Sequence, residues 1–192
     1  MKVKLIIISV LVVVALAMIL PAAAGAKVVP VTRAAVFDSA LTSVNMSETS
    51  GSLHLVLNRA GKKLIVRLIM RNVQGRYAAH SAAITGFLDG RVSQLPGPSA
   101  DTDHDGFISK AEYAAVAGAT ILRLEPFPAL SRRGGAVFQG KFLWADLKDL
   151  GDVKALLNRS AVVIFGCFLE PPYGVAAYHA TAPAANGLIH GR

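Results

Sequence analysis

One cysteine among 192 residues, Cys167 in "AVVIFGCFLE", closes no internal disulfide. No histidine, acid or second cysteine stands near it in sequence, so it reads as a small buried apolar residue and not as a nucleophile or ligand. Acids are scarce, 12 against 20 lysines and arginines, a net charge of +8. That excess does not make a nucleic-acid binder. Lys62-Lys63, Arg67, Arg71, Arg76, Arg91 and Arg132-Arg133 are scattered and not interleaved with aromatics. What the charge leaves open is a loose attraction to anionic surfaces. G-x-S-x-G, a Cys–His neighbourhood and a phosphate-cradling glycine loop are all missing, which removes the commonest hydrolase and nucleotide-binding readings. The five histidines, His54, His80, His104, His179 and His190, include no pair spaced i, i+2 or i, i+4, as clustered metal ligands on one strand or helix would be. There are no internal repeats and no low-complexity tract.

Long apolar runs are also missing, with one exception. "LIIISVLVVVALAMIL" (residues 5–20) follows the basic "MKVK" and precedes the small residues of "PAAAGA". This order is that of a secretory signal peptide over residues 1–26, cut after Ala26; an uncleaved anchor is the competing reading. The expectation is an exported chain, secreted or at the cell surface, with no membrane span after cleavage. Loss of Lys2 and Lys4 leaves 18 basic residues against 12 acids, a net charge of +6. Residues 27–192 are enough for one domain and too few for two.

The remainder reads as β-structure. "SLHLVLNRAGKKLIVRLIM" is a hairpin of two apolar runs, turning near Gly61, with Arg67 and Arg71 on one face of its second strand. "GGAVFQGKFLWADL" is a further strand, and "SAVVIFGCFL" is apolar enough to be buried on both faces. "AAYHATA" and "ANGLIHG" are short terminal strands. Short strands punctuated by glycine, proline and asparagine predict a mainly β fold, a Greek-key or immunoglobulin-like β-sandwich. Two segments differ. "SKAEYAAVAGATILRL" supports at least two helical turns before Gly118, and "LKDLGDVKALLNR" a short helix capped by Asp152. The first, with the Pro- and Gly-rich stretch before it, forms an insertion over about residues 89–124. Because the strands have their own apolar faces, their core is expected not to depend on it.

Within that insertion lies "DTDHDGFISKAEY", which holds four of the twelve acids. Counted from Asp101, acids occupy positions 1, 3 and 5 (Asp101, Asp103, Asp105), glycine position 6 (Gly106), isoleucine 8 (Ile108), serine 9 (Ser109) and glutamate 12 (Glu112). This is the full EF-hand calcium loop. Calcium takes six to eight oxygens, so a wrapping loop turns alternate carboxylates inward. Phe107 would offer its backbone carbonyl and Ser109 would act through a water. Glu112 would give both oxygens, and Gly106 would make the turn that a side chain obstructs. The six restricted positions match by chance roughly once in several hundred thousand windows, so an accident of composition is set aside. Pro96 and Pro98 deny the loop an entering helix, and no second loop exists to pair with it. Ca2+ is the expected cofactor, as a staple for the insertion.

"GKKLIVRLIMRNVQGRYAAHSAAITGF" resembles the part of chordin-type (CHRD) domains where a strand leads to a His-x-His-x-Gly motif. "LEPFPAL", "GGAVFQGKF", "SAVVIFG" and "YHATAPAANGLI" are similar to later strands of secreted superoxide-dismutase-like proteins. The resemblance spans about residues 28–189 and implies a β-sandwich of that superfamily. It departs at the copper ligands: His80 matches one histidine, but Ala82 and Phe165 stand where others would be, and Asn186 replaces the cysteine of the C-terminal motif. The sequence therefore points to an exported, non-enzymatic calcium-binding β-sandwich protein of surface structure, adhesion or assembly. Other surface proteins or further copies of the chain are the open partners. The alternative is a superoxide-dismutase-like metalloenzyme with altered ligands. "NMS" at Asn45 and "NRS" at Asn158 match the N-glycosylation triplet.

Overall fold

A computed structural model describes residues 34–59, 62–169 and 175–192. The expected signal segment, 1–26, and Gly61 of the expected hairpin turn lie outside them. Among the described residues there are nine strands: β1 (Ala35–Ser43), β2 (Ser50–Asn58), β3 (Lys63–Arg71), β4 (Ser81–Gly86), β5 (Ala119–Arg123), β6 (Ala136–Leu143), β7 (Ala161–Leu169), β8 (Ala177–Leu188) and β9 (His190–Gly191). The helices are short: α1 (Lys110–Ala117), α2 (Trp144–Leu147) and α3 (Val153–Leu157).

The period-2 pattern sets the faces. In β2 and β3, Leu53, Leu55 and Leu57 pair across the ladder with Leu68, Val66 and Leu64, and all six are buried. On the opposite face the exposed His54 and Arg67 alternate with the apolar Val56 and Ile65, of which Ile65 is also exposed. The strands run antiparallel in the order β5-β4-β7-β8-β1-β2-β3-β6, with β9 on β1. They follow one continuous ladder in place of the two separate sheets expected. The reason is β1. Its residues Ala35 to Leu41 pair with β2, while Thr42 and Ser43 pair with β8, so one strand joins the two halves. The result is a strongly curled nine-stranded sheet, a half-barrel. Phe37, Leu55 and Leu68 from one half meet Ile84, Val162 and Ile164 from the other in the same core.

β7 is buried on both faces, as its composition predicts. Val162 and Ile164 enter the main core, whereas Ala161, Val163 and Phe165 join a second cluster on the outer face. Ala83 of β4 belongs to that cluster, together with Ala100, Ile108, Tyr113 and Ala117 of the insertion. This corrects the expectation that the strands form their core without the insertion. The outer faces of β4 and β7 are covered by it. The inserted segment is also shorter than expected, because residues 119–123 form β5 and pair with β4.

Helix α1 ends where Gly118 predicts. Gly118 has φ +86°, and a Cβ there would lie 2.3 Å from the Gly86 backbone. Two further differences are local. "AAYHATA" and "ANGLIHG" do not form two strands, because β8 runs unbroken to Leu188 and register shifts opposite Pro183 absorb the proline. The strand expected through "LWADL" stops at Leu143, where the Asp146 carboxylate accepts from the Leu143 N–H at 2.8 Å and starts α2. Asp152 caps α3 as expected, accepting from the N–H groups of Lys154 and Ala155. Among the described residues, no helix is long and apolar enough to cross a membrane.

Candidate metal centre

The loop 101–109 joins a short 3-10 turn (Pro98–Ala100) to α1. It brings together Asp101, Asp103 and Asp105, one carboxylate oxygen from each lying within 4.8 Å of the others. Two oxygens on opposite sides of one calcium ion are at most about 5 Å apart, so the three fit a shared ion. Backbone N–H groups hold the cluster from within. The Gly106 N–H donates to Asp101 Oδ2 at 2.9 Å, the Phe107 N–H to Asp105 Oδ1 at 2.8 Å, and the Asp105 N–H to Asp103 Oδ1 at 3.3 Å. Asp101 Oδ1 is buried and has no hydrogen-bond partner. A buried carboxylate oxygen left in that state is costly unless a cation meets it.

Gly106 adopts φ +88°. A Cβ at this position would meet nothing within 4 Å, so glycine answers to the backbone conformation and not to crowding, which corrects the expected reason.

Glu112 stands apart from the three aspartates. Its Oε1 accepts from the Thr102 N–H at 2.6 Å and the Thr102 hydroxyl at 2.9 Å; its Oε2 accepts from the Ser109 N–H at 2.8 Å. The Ser109 hydroxyl in turn accepts from the Glu112 N–H at 3.2 Å, completing a capping box at the start of α1. The N–H groups of Ser109 and Thr102, then the Thr102 hydroxyl, pull the Glu112 carboxyl down to about 2, against desolvation that raises it. Glu112 therefore ties the start of the loop to its end. The S-x-x-E spacing carries this signal in sequence. Nothing in sequence marks Thr102.

The loop is also fastened to the sheet. Ile108 and Tyr113 enter the outer-face cluster, Tyr113 placing its ring edge against Phe165 and its hydroxyl 3.3 Å from Thr85 Oγ1. Phe107 packs against a third cluster formed by Cys167, Leu169, Ala182 and Ala184. Cys167 is buried there, and burial pushes its thiol up to about 11. Asn45, in the turn between β1 and β2, reaches the loop from 63 residues away. Its Oδ1 accepts from the Ile108 N–H at 2.7 Å and its Nδ2 donates to the Ile108 carbonyl at 3.0 Å. No local pattern announces that contact.

The histidines do not gather. His80 has each ring nitrogen within hydrogen-bonding distance of a carbonyl oxygen, Nδ1 at 2.8 Å from Ala78 and Nε2 at 2.6 Å from Gln74. Its ring stacks on Phe127 at 5.4 Å. His54 pairs with Asp38 at 2.8 Å on the exposed face. Among the described residues, only the three aspartates form a group of three or more histidine, cysteine or acidic side chains close enough to share an ion.

No protein-family model matches the chain, and no curated protein matches it.

Proposed function

We propose that this is an exported, non-enzymatic calcium-binding β protein in which the ion fixes the inserted loop against the sheet. The observation that carries the reading is Asp101 Oδ1, buried without a partner beside the oxygens of Asp103 and Asp105. A hard cation supplies what that oxygen lacks. Asp101, Asp103 and Asp105 give the first three oxygens, the Phe107 carbonyl a fourth, and Ser109 acts through water. Glu112 completes the set. Its Oε1 already accepts two hydrogen bonds from Thr102, so closing both oxygens on the ion requires release of part of that contact.

An exported protein with a lone loop needs only weak affinity, on the order of 10⁻⁴–10⁻³ M, the range of extracellular modules. The sandwich and chordin-type readings remain the finer form of the proposal, supported by the quoted segments and the two facing halves of the sheet. Isothermal titration with calcium tests the reading. Wild-type protein should bind one ion in that range, and Asp101→Ala should bind none. Equal heats from the two proteins would place the ion elsewhere.

A further inference from the structure

We infer that Asn45 is the positioning residue of the calcium loop, orienting the Phe107 carbonyl toward the ion. This rests on the calcium reading above. The Ile108 N–H and the Phe107 carbonyl belong to one planar trans peptide, so they point in opposite directions. The N–H donates to Asn45 Oδ1 at 2.7 Å, outside the loop. The carbonyl is thereby directed to the opposite side of that peptide plane. On the far side of Ile108, Nδ2 of the same amide takes the Ile108 carbonyl at 3.0 Å. One side chain thus holds both backbone groups of Ile108, as an adjacent antiparallel strand would.

The amide is itself fixed. Nδ2 also donates to the Pro183 carbonyl of β8 at 3.0 Å, and the flanking Val44 N–H donates to the Ala184 carbonyl at 2.8 Å. The Ser47 hydroxyl donates to that same Ala184 carbonyl. Asn45 has φ +54°, a conformation asparagine tolerates better than most residues. With both Nδ2 hydrogens directed at carbonyls, the Asn45-Met46-Ser47 triplet serves the loop in the folded chain and is not a free glycan acceptor.

Two variants separate this role from simple charge. Asn45→Gly keeps the positive φ and removes the amide. Asn45→Asp keeps an oxygen for the Ile108 N–H but turns a second oxygen on two carbonyls, while adding a negative charge beside the loop. Charge alone predicts tighter calcium binding by Asn45→Asp. The clamp predicts that both variants bind calcium about tenfold more weakly by titration, as expected for the loss of one or two net hydrogen bonds. Their melting temperatures in chelator should stay within a few degrees of wild type.

Wild-type affinity in both variants, or tighter binding by Asn45→Asp, overturns the clamp and leaves the calcium reading intact. A wild-type protein that binds no calcium overturns both. Should the variants not fold, hydrogen exchange on wild type decides: the Ile108 amide must be protected in chelator and slow further with calcium. An Ile108 amide that exchanges as fast as a solvent-exposed amide without a hydrogen bond contradicts the inference.

Discussion

Asp101 carries two opposed demands at once. Its Oδ2 anchors the Gly106 turn, while its Oδ1 is buried unpaired beside two more carboxylates. Under the calcium proposal, the side chain adds repulsion in chelator and a ligand when the ion is bound. Asp101→Asn should therefore melt at or slightly above the wild-type temperature in chelator and a few degrees below it in millimolar calcium, by calorimetric scanning. A lower melting temperature in both conditions would make the residue purely structural. Tyr113 and Cys167, together with Tyr178, whose hydroxyl burial also pushes up to about 12, bear on the alkaline limit. Burial raises Tyr113 from 10.0 to about 12 and Cys167 from 9.0 to about 11. Both groups ionise at lower pH in the unfolded chain, so the stability they contribute is complete below pH 9 and is lost as pH climbs toward 12. Urea unfolding midpoints should be level up to pH 9 and fall steadily above it. A flat profile through pH 11 would contradict the burial of both.

At the scale of elements, α1 and β7 depend on each other. Val163 and Phe165 of β7 share their outer-face cluster with the insertion, with Val44 and Leu188 packed at its margin, and Tyr113 is the largest side chain α1 contributes there. Tyr113→Ala should cost about 3 kcal/mol in urea unfolding, an aromatic deletion in a filled core. Tyr113→Phe, which loses only the 3.3 Å contact with Thr85, should cost about 1 kcal/mol or less. These elements were legible because their signals are local: the apolar run of β7, the Ser109 and Gly118 stops of α1, the oxygen spacing of the loop. The bridging of two sheet halves by β1 was not, since it depends on which strand edge Thr42 and Ser43 meet and not on their periodicity. Nor was Asn45, whose partner lies 63 residues away. The S-x-x-E spacing of Ser109 and Glu112 fits a capping box as well as calcium ligands, and the loop pattern alone points only to the ligands.

The described residues form a curled sheet in which the acidic loop and its helix cover the outer faces of β4 and β7. Metal that binds only the folded loop stabilises by about 1.4 kcal/mol at ten times Kd, a rise in melting temperature of a few degrees. Hydrogen exchange should slow on calcium addition in the loop, α1 and the adjoining strands β4 and β7, and stay unchanged in β2, β3 and β6. Protection spread through every strand, or calcium-driven assembly in sedimentation, would move the ion to a bridging role between copies. The most direct measurement is a crystal structure grown in millimolar calcium. One ion is expected among Asp101, Asp103 and Asp105, with Asp101 Oδ1 and the Phe107 carbonyl at about 2.3–2.6 Å from it. No ion density in the loop, or an ion that leaves Asp101 Oδ1 unbound, would contradict it.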